Sequence, residues 1–339
     1  EWYLKAAEQG YASAQNDLGV MYENGRGVEQ SYEKAVEWYL KAAKQGYARA
    51  QCNLVAMYGN GTGVEQSDVK AAEWFLKAAE QGLAMAQRNL GCMYEKALEW
   101  LQKAAEQGLA RAQYSLGCMY DKGTGVEQSY EKAAEWVLKA AEQGFARAQN
   151  NLGVMYENGR GVEQSYEKAA EWFLKAAEQG LAHAQCKLGF MYYTGTGVEQ
   201  SYKKAVEWFL KAAEQGLAHA QCKLGFMYYT GTGVEQSYKK AVEWFLKAAE
   251  QGLADAQNNL GVMYYDGRGV EQSYKKAVEW SLKAAEQGNA SAQYNLGDMY
   301  FWGTGVEQSD EKAREWFQKA ADQGFEDAMV VLNGLNLLS

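Results

Sequence analysis

Residues 145–180 read FARAQNNLGVMYENGRGVEQSYEKAAEWFLKAAEQG, and the pattern inside them decides the fold. Ala146, Ala148, Leu152, Met155 and Tyr156 recur at helical spacing and predict a first helix, A. Asn158-Gly159-Arg160-Gly161 stops it, because two glycines accept positive φ without a steric cost. Ser165 is placed to cap a second helix, B. Its inward face is expected to be Ala169, Trp172, Leu174 and Ala177, with Gly180 ending it just past the last turn. The unit is a helical hairpin.

The hairpin recurs along all 339 residues. Tryptophan stands at Trp2, Trp38, Trp74, Trp100, Trp136, Trp172, Trp208, Trp244, Trp280 and Trp316, in steps of 36 except for one of 26 between Trp74 and Trp100. A period of this size marks a solenoid, in which each unit buries its apolar face against its neighbours and no central core is needed. The chain divides into a lone helix B at 1–10, two full units at 11–82, a shortened unit at 83–108, six full units at 109–324 and a half-unit at 325–339. Trp38, Trp172, Trp208 and their equivalents are expected to be buried between helices. Of 36 glycines, 34 fall at four fixed positions of the unit, and Gly59 and Gly334 stand out of register. One fixed position, seen at Gly19, Gly153 and Gly261, lies inside helix A, where glycine costs roughly 1 kcal/mol against alanine. Its recurrence predicts a neighbouring helix that passes too close for a side chain.

The string A-x-A-Q-x-x-L-G-x-M-Y-x-x-G-x-G-V, followed by K-A-x-E-W-x-x-K-A-A-E-Q-G, resembles the Sel-one-like repeat (SLR) family, a relative of the tetratricopeptide repeat with a slightly longer unit. The resemblance covers nearly the whole chain. It implies an all-α, right-handed superhelical solenoid of antiparallel helix pairs, with the A helices on the concave side, and a non-catalytic scaffold or adaptor role. Two departures stand out. Glu-Gln-Ser follows Gly-Val where many members carry Pro or Asp, and no unit holds the cysteine pair of the cysteine-rich bacterial branch.

Charge narrows the partners. With 34 basic and 43 acidic side chains the net charge is −9, which opposes binding to a phosphate backbone. No stretch approaches 18 consecutive apolar residues, so no membrane-spanning segment is expected. The chain opens mid-unit at Glu1-Trp2, so it reads as a fragment whose targeting segment lies outside view, and the compartment is left open.

Chemistry finds little purchase. Cys52, Cys92, Cys118, Cys186 and Cys222 all fall on helix A, none with a partner in its own hairpin. Equivalent positions in adjacent units should lie about 10 Å apart, beyond the roughly 7 Å between Cα atoms that a disulfide tolerates. Free thiols are expected, which fits a cytoplasmic or other reducing compartment. His183-Ala184-Gln185-Cys186 and His219-Ala220-Gln221-Cys222 each place two metal-ligand types on one helix face. Units 181–216 and 217–252 are identical, however, so duplication explains the second pair and no metal site is assigned. Gly-Arg-Gly and Gly-Thr-Gly lack the strand and the Gly-Lys-Ser/Thr of a phosphate loop. The Glu37 and Lys41 pair reads as solvated helix surface. With two histidines, no serine has a base to activate it. No catalytic residue and no cofactor is expected.

The units differ from one another in a patterned way. Within helix A the variable residues fall at the third, sixth, seventh, tenth, thirteenth and fourteenth positions, which trace a single face. At the seventh stand Asp17, Asn53, Asn89, Ser115, Asn151, Lys187, Lys223, Asn259 and Asn295. The asparagines either bond the backbone of an extended peptide or bond locally. The thirteenth turns aromatic at Tyr193, Tyr229, Tyr265 and Phe301, with Phe190, Phe226, Tyr114 and Tyr294 on the same face. These either anchor a partner or pack on the preceding unit's loop. Trp302, outside the tryptophan register, either anchors a ligand or covers the final half-unit. The expected function is protein or peptide binding on the concave face. The alternative is a helical-repeat RNA reader using Arg49, Arg88, Arg111, Arg147, Lys187 and Lys223, which the net acidity disfavours.

The shortened unit poses its own question. Residues 91–100, GCMYEKALEW, match 117–136, GCMYDKGTGVEQSYEKAAEW, almost letter for letter, with Leu98 for Ala134 and ten residues missing between Tyr94 and Glu95. Those ten are the loop that turns the chain back. Without them one straight helix is expected from about Ala84 to Gln107, with exposed solenoid ends that invite a homodimer. The competing reading has antiparallel helices on either side of an omitted loop.

Overall fold

The computed structural model describes residues 2–80 and 94–337, and every element of regular structure among them is an α-helix. In chain order these are α1 (Trp2–Glu8), α2 (Ala12–Asn24), α3 (Tyr32–Lys44), α4 (Ala48–Asn60), α5 (Asp68–Glu80), α6 (Tyr94–Glu106), α7 (Ala110–Lys122), α8 (Tyr130–Glu142), α9 (Ala146–Asn158), α10 (Tyr166–Glu178), α11 (Ala182–Thr194), α12 (Tyr202–Glu214), α13 (Ala218–Thr230), α14 (Tyr238–Glu250), α15 (Ala254–Asp266), α16 (Tyr274–Glu286), α17 (Ala290–Trp302), α18 (Asp310–Ala321) and α19 (Glu326–Leu337). They form two compact units, Glu1–Ser165 and Tyr166–Ser339. Within each, helices A and B alternate and pack on their chain neighbours, as a solenoid requires.

The sequence signals act as expected at the hairpin turns. Helix A ends on a left-handed glycine such as Gly231, at φ 75°, whose N–H donates to Met227 O. Helix B then starts at a serine such as Ser237, whose Oγ accepts from the Lys240 N–H at 3.4 Å. The loop's second glycine meets the preceding unit. A Cβ on Gly233 would lie 2.6 Å from the backbone carbonyl of Tyr202, the first residue of the previous helix B.

The glycine inside helix A marks the close approach of its own helix B. A Cβ at Gly189 or Gly225 would lie 2.8 Å from Cδ1 of Phe209 or Phe245, nearer than such atoms approach. The ring at this point is the residue after the tryptophan, which corrects the expected inward face. Phe173, Phe209, Phe245 and Phe317 are buried, whereas Trp172, Trp208 and Trp244 are half-buried. One residue turns a helix by about 100°, so the two side chains cannot both face the hairpin. Trp244 instead leans back on the core that Phe209 of the preceding unit forms with Leu224 of its own helix A. Its outer face carries the lysine three residues on, with Lys247 Nζ 4.0 Å from the ring centroid. Lys41 sits likewise 3.8 Å over Trp38, so it covers an indole as well as meeting solvent.

A buried glutamine ties each unit to the one before. Gln221 Nε2 donates to Ala213 O at 3.0 Å, and its Oε1 accepts from Gln251 Nε2 at 2.8 Å. Gln113, Gln185, Gln257 and Gln293 repeat both bonds. Each links its own helix A to the previous helix B and to the end of its own, and both amide atoms are satisfied.

The unit at 47–82 breaks the pattern. Val55 takes the place of the helix A glycine, and Phe75, the ring that should meet it, is half-buried. The out-of-register Gly59 has a partner of its own, because a Cβ there would overlap the Trp100 indole. Trp100 is consequently 6% exposed, and Lys103, three residues on, bridges to Asp68 at 3.6 Å. Asp68, like Asp310 before the final half-unit, stands where the other full units carry the tyrosine that receives the next unit's loop, and the next unit lacks the loop sequence. The expected straight helix from Ala84 falls in its first half on residues 81–93, outside the described residues. The described part is α6, thirteen residues long like most of the other B helices, with Tyr94 and Glu95 successive within it.

Two expectations follow for stability. Phe209→Ala should cost about 3–5 kcal/mol, and Trp208→Ala distinctly less, in urea midpoints followed by helical circular dichroism. Ser281 occupies the position of Phe209 and Phe245, is fully buried, and has no partner for its Oγ. Ser281→Phe should raise stability by about 0.5–2 kcal/mol by filling that place and removing the unpaired hydroxyl.

Candidate interaction surface

The variable positions lie on one side of the A helices, as the pattern predicts, but many are already engaged between repeats. Asn53 Nδ2 donates to Asn16 Oδ1 at 3.2 Å and Asn295 Nδ2 to Asn258 Oδ1 at 3.0 Å. Asn151 reaches Cys118 Sγ at 3.9 Å, and Asn259 bonds the Cys222 thiol. In each case the seventh position bonds back to the preceding helix A. Of the two roles open to these asparagines, the local one is thus occupied. Asn89 and Arg88 lie outside the described residues.

The aromatics pack on their own hairpins or on the first residue of the next unit, and not on the preceding loop. Tyr193, Tyr229 and Tyr265 meet Tyr202, Tyr238 and Tyr274, the first residues of helix B, with ring centroids 5.4, 5.4 and 5.3 Å apart. Phe190 lies edge-on to Phe209 at 5.0 Å, Tyr114 to Phe145 at 5.4 Å, and Tyr294 against Phe317 at 5.5 Å. Tyr193, Tyr229, Tyr265 and Phe301 remain half-exposed.

Two rings project further. Trp302 is 68% exposed, with its Nε1 donating to Asp298 Oδ1 at 3.1 Å and its ring edge-on to Phe301 at 4.9 Å. Phe226 is 39% exposed although its copy, Phe190, is half-buried. The next repeat differs at this point. Lys223 lays its ammonium 5.3 Å from the Phe190 centroid, and the residue in that role over Phe226 is the shorter Asn259. Nothing within one unit of sequence could have signalled this difference.

His183 and His219 are exposed on the first turns of α11 and α13, while Cys186 is buried. Among the described residues no three of His, Cys, Asp or Glu converge as a metal site would require, and no helix is long and apolar enough to cross a membrane. Cys52, Cys118, Cys186 and Cys222 are free thiols, and Cys92 lies outside the described residues. Burial pushes the Cys186 thiol up to about 11, with Lys187 and Lys223 opposing. Burial likewise lifts Cys222 to about 11, helped by Asp255 and opposed by Lys223 and the bond with Asn259. From an ordinary value of 9.0 up to about 11, the unfolded chain releases these protons while the folded chain keeps them. Their stabilisation is therefore complete below that window and is lost as pH rises through it. A Cys186→Ala/Cys222→Ala chain should lose stability less steeply than the parent across it, read from urea midpoints against pH.

The Sel1 repeat family matches residues 1–11, 12–47, 48–83, 84–96, 94–109, 110–145, 146–181, 182–217, 218–253, 254–289 and 290–325. Among solved structures, a Sel1 repeat protein from Oxalobacter formigenes is 34% identical, over 98% of this chain and 89% of that one, with a TM-score of 0.61. A second, c5321, is a protective antigen present in uropathogenic Escherichia coli strains and displays an SLR fold. It is 37% identical over 98% of this chain and 81% of its own, with a TM-score of 0.52. No curated protein sequence matches the chain. Family matches from residue 1 to residue 325, on the helix pairs, glycines and glutamines described above, place the chain in the Sel1 repeat family.

Proposed function

We propose that the chain is a non-catalytic scaffold that binds an extended segment of a partner protein along the variable face of its A helices. Members of the family are generally protein-interaction scaffolds, which supports the class of function. The observation that carries the reading is the aromatic row on α13, α15 and α17. Exposed Phe226 and Trp302 flank half-exposed Tyr229, Tyr265 and Phe301 on successive A helices. Rows of this kind suit recognition, since aromatic anchors dominate protein interfaces. Tyr193, Lys187 and Lys223 extend the surface across α11 and α13. Asn259 and Asn295 act as positioning residues, because their bonds to neighbouring helices fix the spacing. Asn53 and Asn151, in the unit ending at Ser165, fix the spacing of their A helices in the same way.

Capture from lysate by the immobilised chain, with and without nuclease, tests the reading. Proteins retained by the parent and unaffected by nuclease should be lost from Phe226→Ser/Trp302→Ser, with Kd raised at least tenfold, or about 1.4 kcal/mol. The melting curve of that variant should match the parent's. Equal retention by both chains would remove this surface from consideration, and capture abolished by nuclease would favour the RNA alternative.

A further inference from the structure

The face just described is electrically divided, although the chain as a whole is acidic. On α11 and α13 its charged positions hold His183, Lys187, His219 and Lys223, with no carboxylate among them. Lys187 and Lys223 hold the same position on the neighbouring A helices α11 and α13. Lys223 Nζ rests over the rings of Phe190 and Tyr193, at 5.3 and 5.8 Å from their centroids. Ring faces orient an ammonium without neutralising it.

From α15 onward the sign reverses. The third position carries Asp255, Ser291 and Asp327 on α15, α17 and α19, and the tenth carries Asp298 on α17. Asp255 accepts from Asn289 at 2.9 Å and Asp298 from the Trp302 indole at 3.1 Å. Both donors are neutral, so these bonds orient the carboxylates and leave their charge in place. Asp298 and Asp327 both act on Tyr294, which groups them at the same end as Trp302. The other cation near this stripe, Arg268, is bound to Asp266 at 3.2 Å and stacked over Tyr229 and Tyr238.

Resting on the reading above, we propose that this face selects an extended partner segment of opposite polarity, with carboxylates over α11 and α13 and an Arg or Lys over α17 and α19. The partner's cation lies on the exposed Trp302 indole beside Asp298, where ring face and carboxylate act together. Its acidic residues lie beside Lys187 and Lys223. Two steps between neighbouring A helices span roughly 20 Å, and an extended chain covers that in about six residues. The recognised pattern is therefore an acidic residue and a basic one about six positions apart, with apolar residues between them to meet Phe226, Tyr229 and Tyr265. Charge complementarity of this kind sets orientation and rejects wrong partners more than it adds affinity.

A random dodecapeptide library displayed on phage and panned on the full chain tests this. Selected peptides should share an acidic and a basic position about six residues apart. The best of them, labelled for fluorescence anisotropy, should bind Lys187→Glu/Lys223→Glu and Asp255→Lys/Asp298→Lys chains at least tenfold more weakly than the parent. Panning on the first of these chains should abolish the acidic preference and keep the basic one. Should either chain lose helicity, Lys223→Ala and Asp298→Asn take their places. Peptides without charge asymmetry that still depend on Phe226 and Trp302 would overturn the polarity and leave the binding surface standing. Peptides insensitive to all of these positions, or no enrichment at all, would overturn both.

Discussion

In the hairpins of Gly19, Gly189, Gly225 and Gly297 a glycine of helix A lies against a ring of helix B, and this contact sets the distance between the two helices. Gly189 with Phe209 and Gly225 with Phe245 show it most plainly, since a Cβ on either glycine would enter the ring. The balance of energies favours the arrangement. A mid-helix glycine costs roughly 1 kcal/mol, whereas fully burying a phenylalanine contributes about 1.5–3 kcal/mol. Helix B is thereby held so that its tryptophan projects sideways to the preceding unit, where the neighbouring core and a lysine cover it. Hairpin geometry and repeat stacking both follow from one missing side chain.

The hairpin that lacks this glycine supports the argument. In the unit at 47–82 Val55 closes the glycine niche, Phe75 is left half-buried, and a second niche opens four residues later at Gly59. Trp100, from the shortened unit, fills it. Asp68 has replaced the tyrosine that elsewhere receives a loop, and it faces Lys103 instead. Three departures in one neighbourhood, Val55, Gly59 and Asp68, accommodate a helix B that arrives without its loop. The missing ten residues are thus matched by changes in the preceding unit.

Apolar contact alone would let repeats slide along one another. The glutamine ladder opposes this, because a buried amide has fixed donor and acceptor sites and any shift in register would leave them unpaired. Gln221, bonded to Ala213 O and Gln251, specifies which turn of the previous helix B it faces. The asparagine bonds between successive A helices add a second register on the variable side. The surface that carries the proposed binding role is therefore held in place from beneath and from its flanks.

The fold was legible in the sequence because its causes are local. Glycine pairs with positive φ, serine caps and helical spacing act within a few residues, and a 36-residue period lets each signal be read many times over. The glycine inside helix A was likewise readable as a close approach. Other features were decided only by neighbours in space. Whether Trp208 or Phe209 faces the hairpin depends on one residue's rotation, and composition favours the larger ring. The asparagine row looks free in sequence, yet its amides are turned to the adjacent helix. The clearest case is the pair of identical repeats. Phe190 and Phe226 belong to units of identical sequence, yet they differ in exposure, and Lys223 follows one in space where Asn259 follows the other. Repetition in sequence determined the helices and their stacking, whereas the surface was decided by contacts between units, since a side chain's exposure depends on what the next repeat places over it.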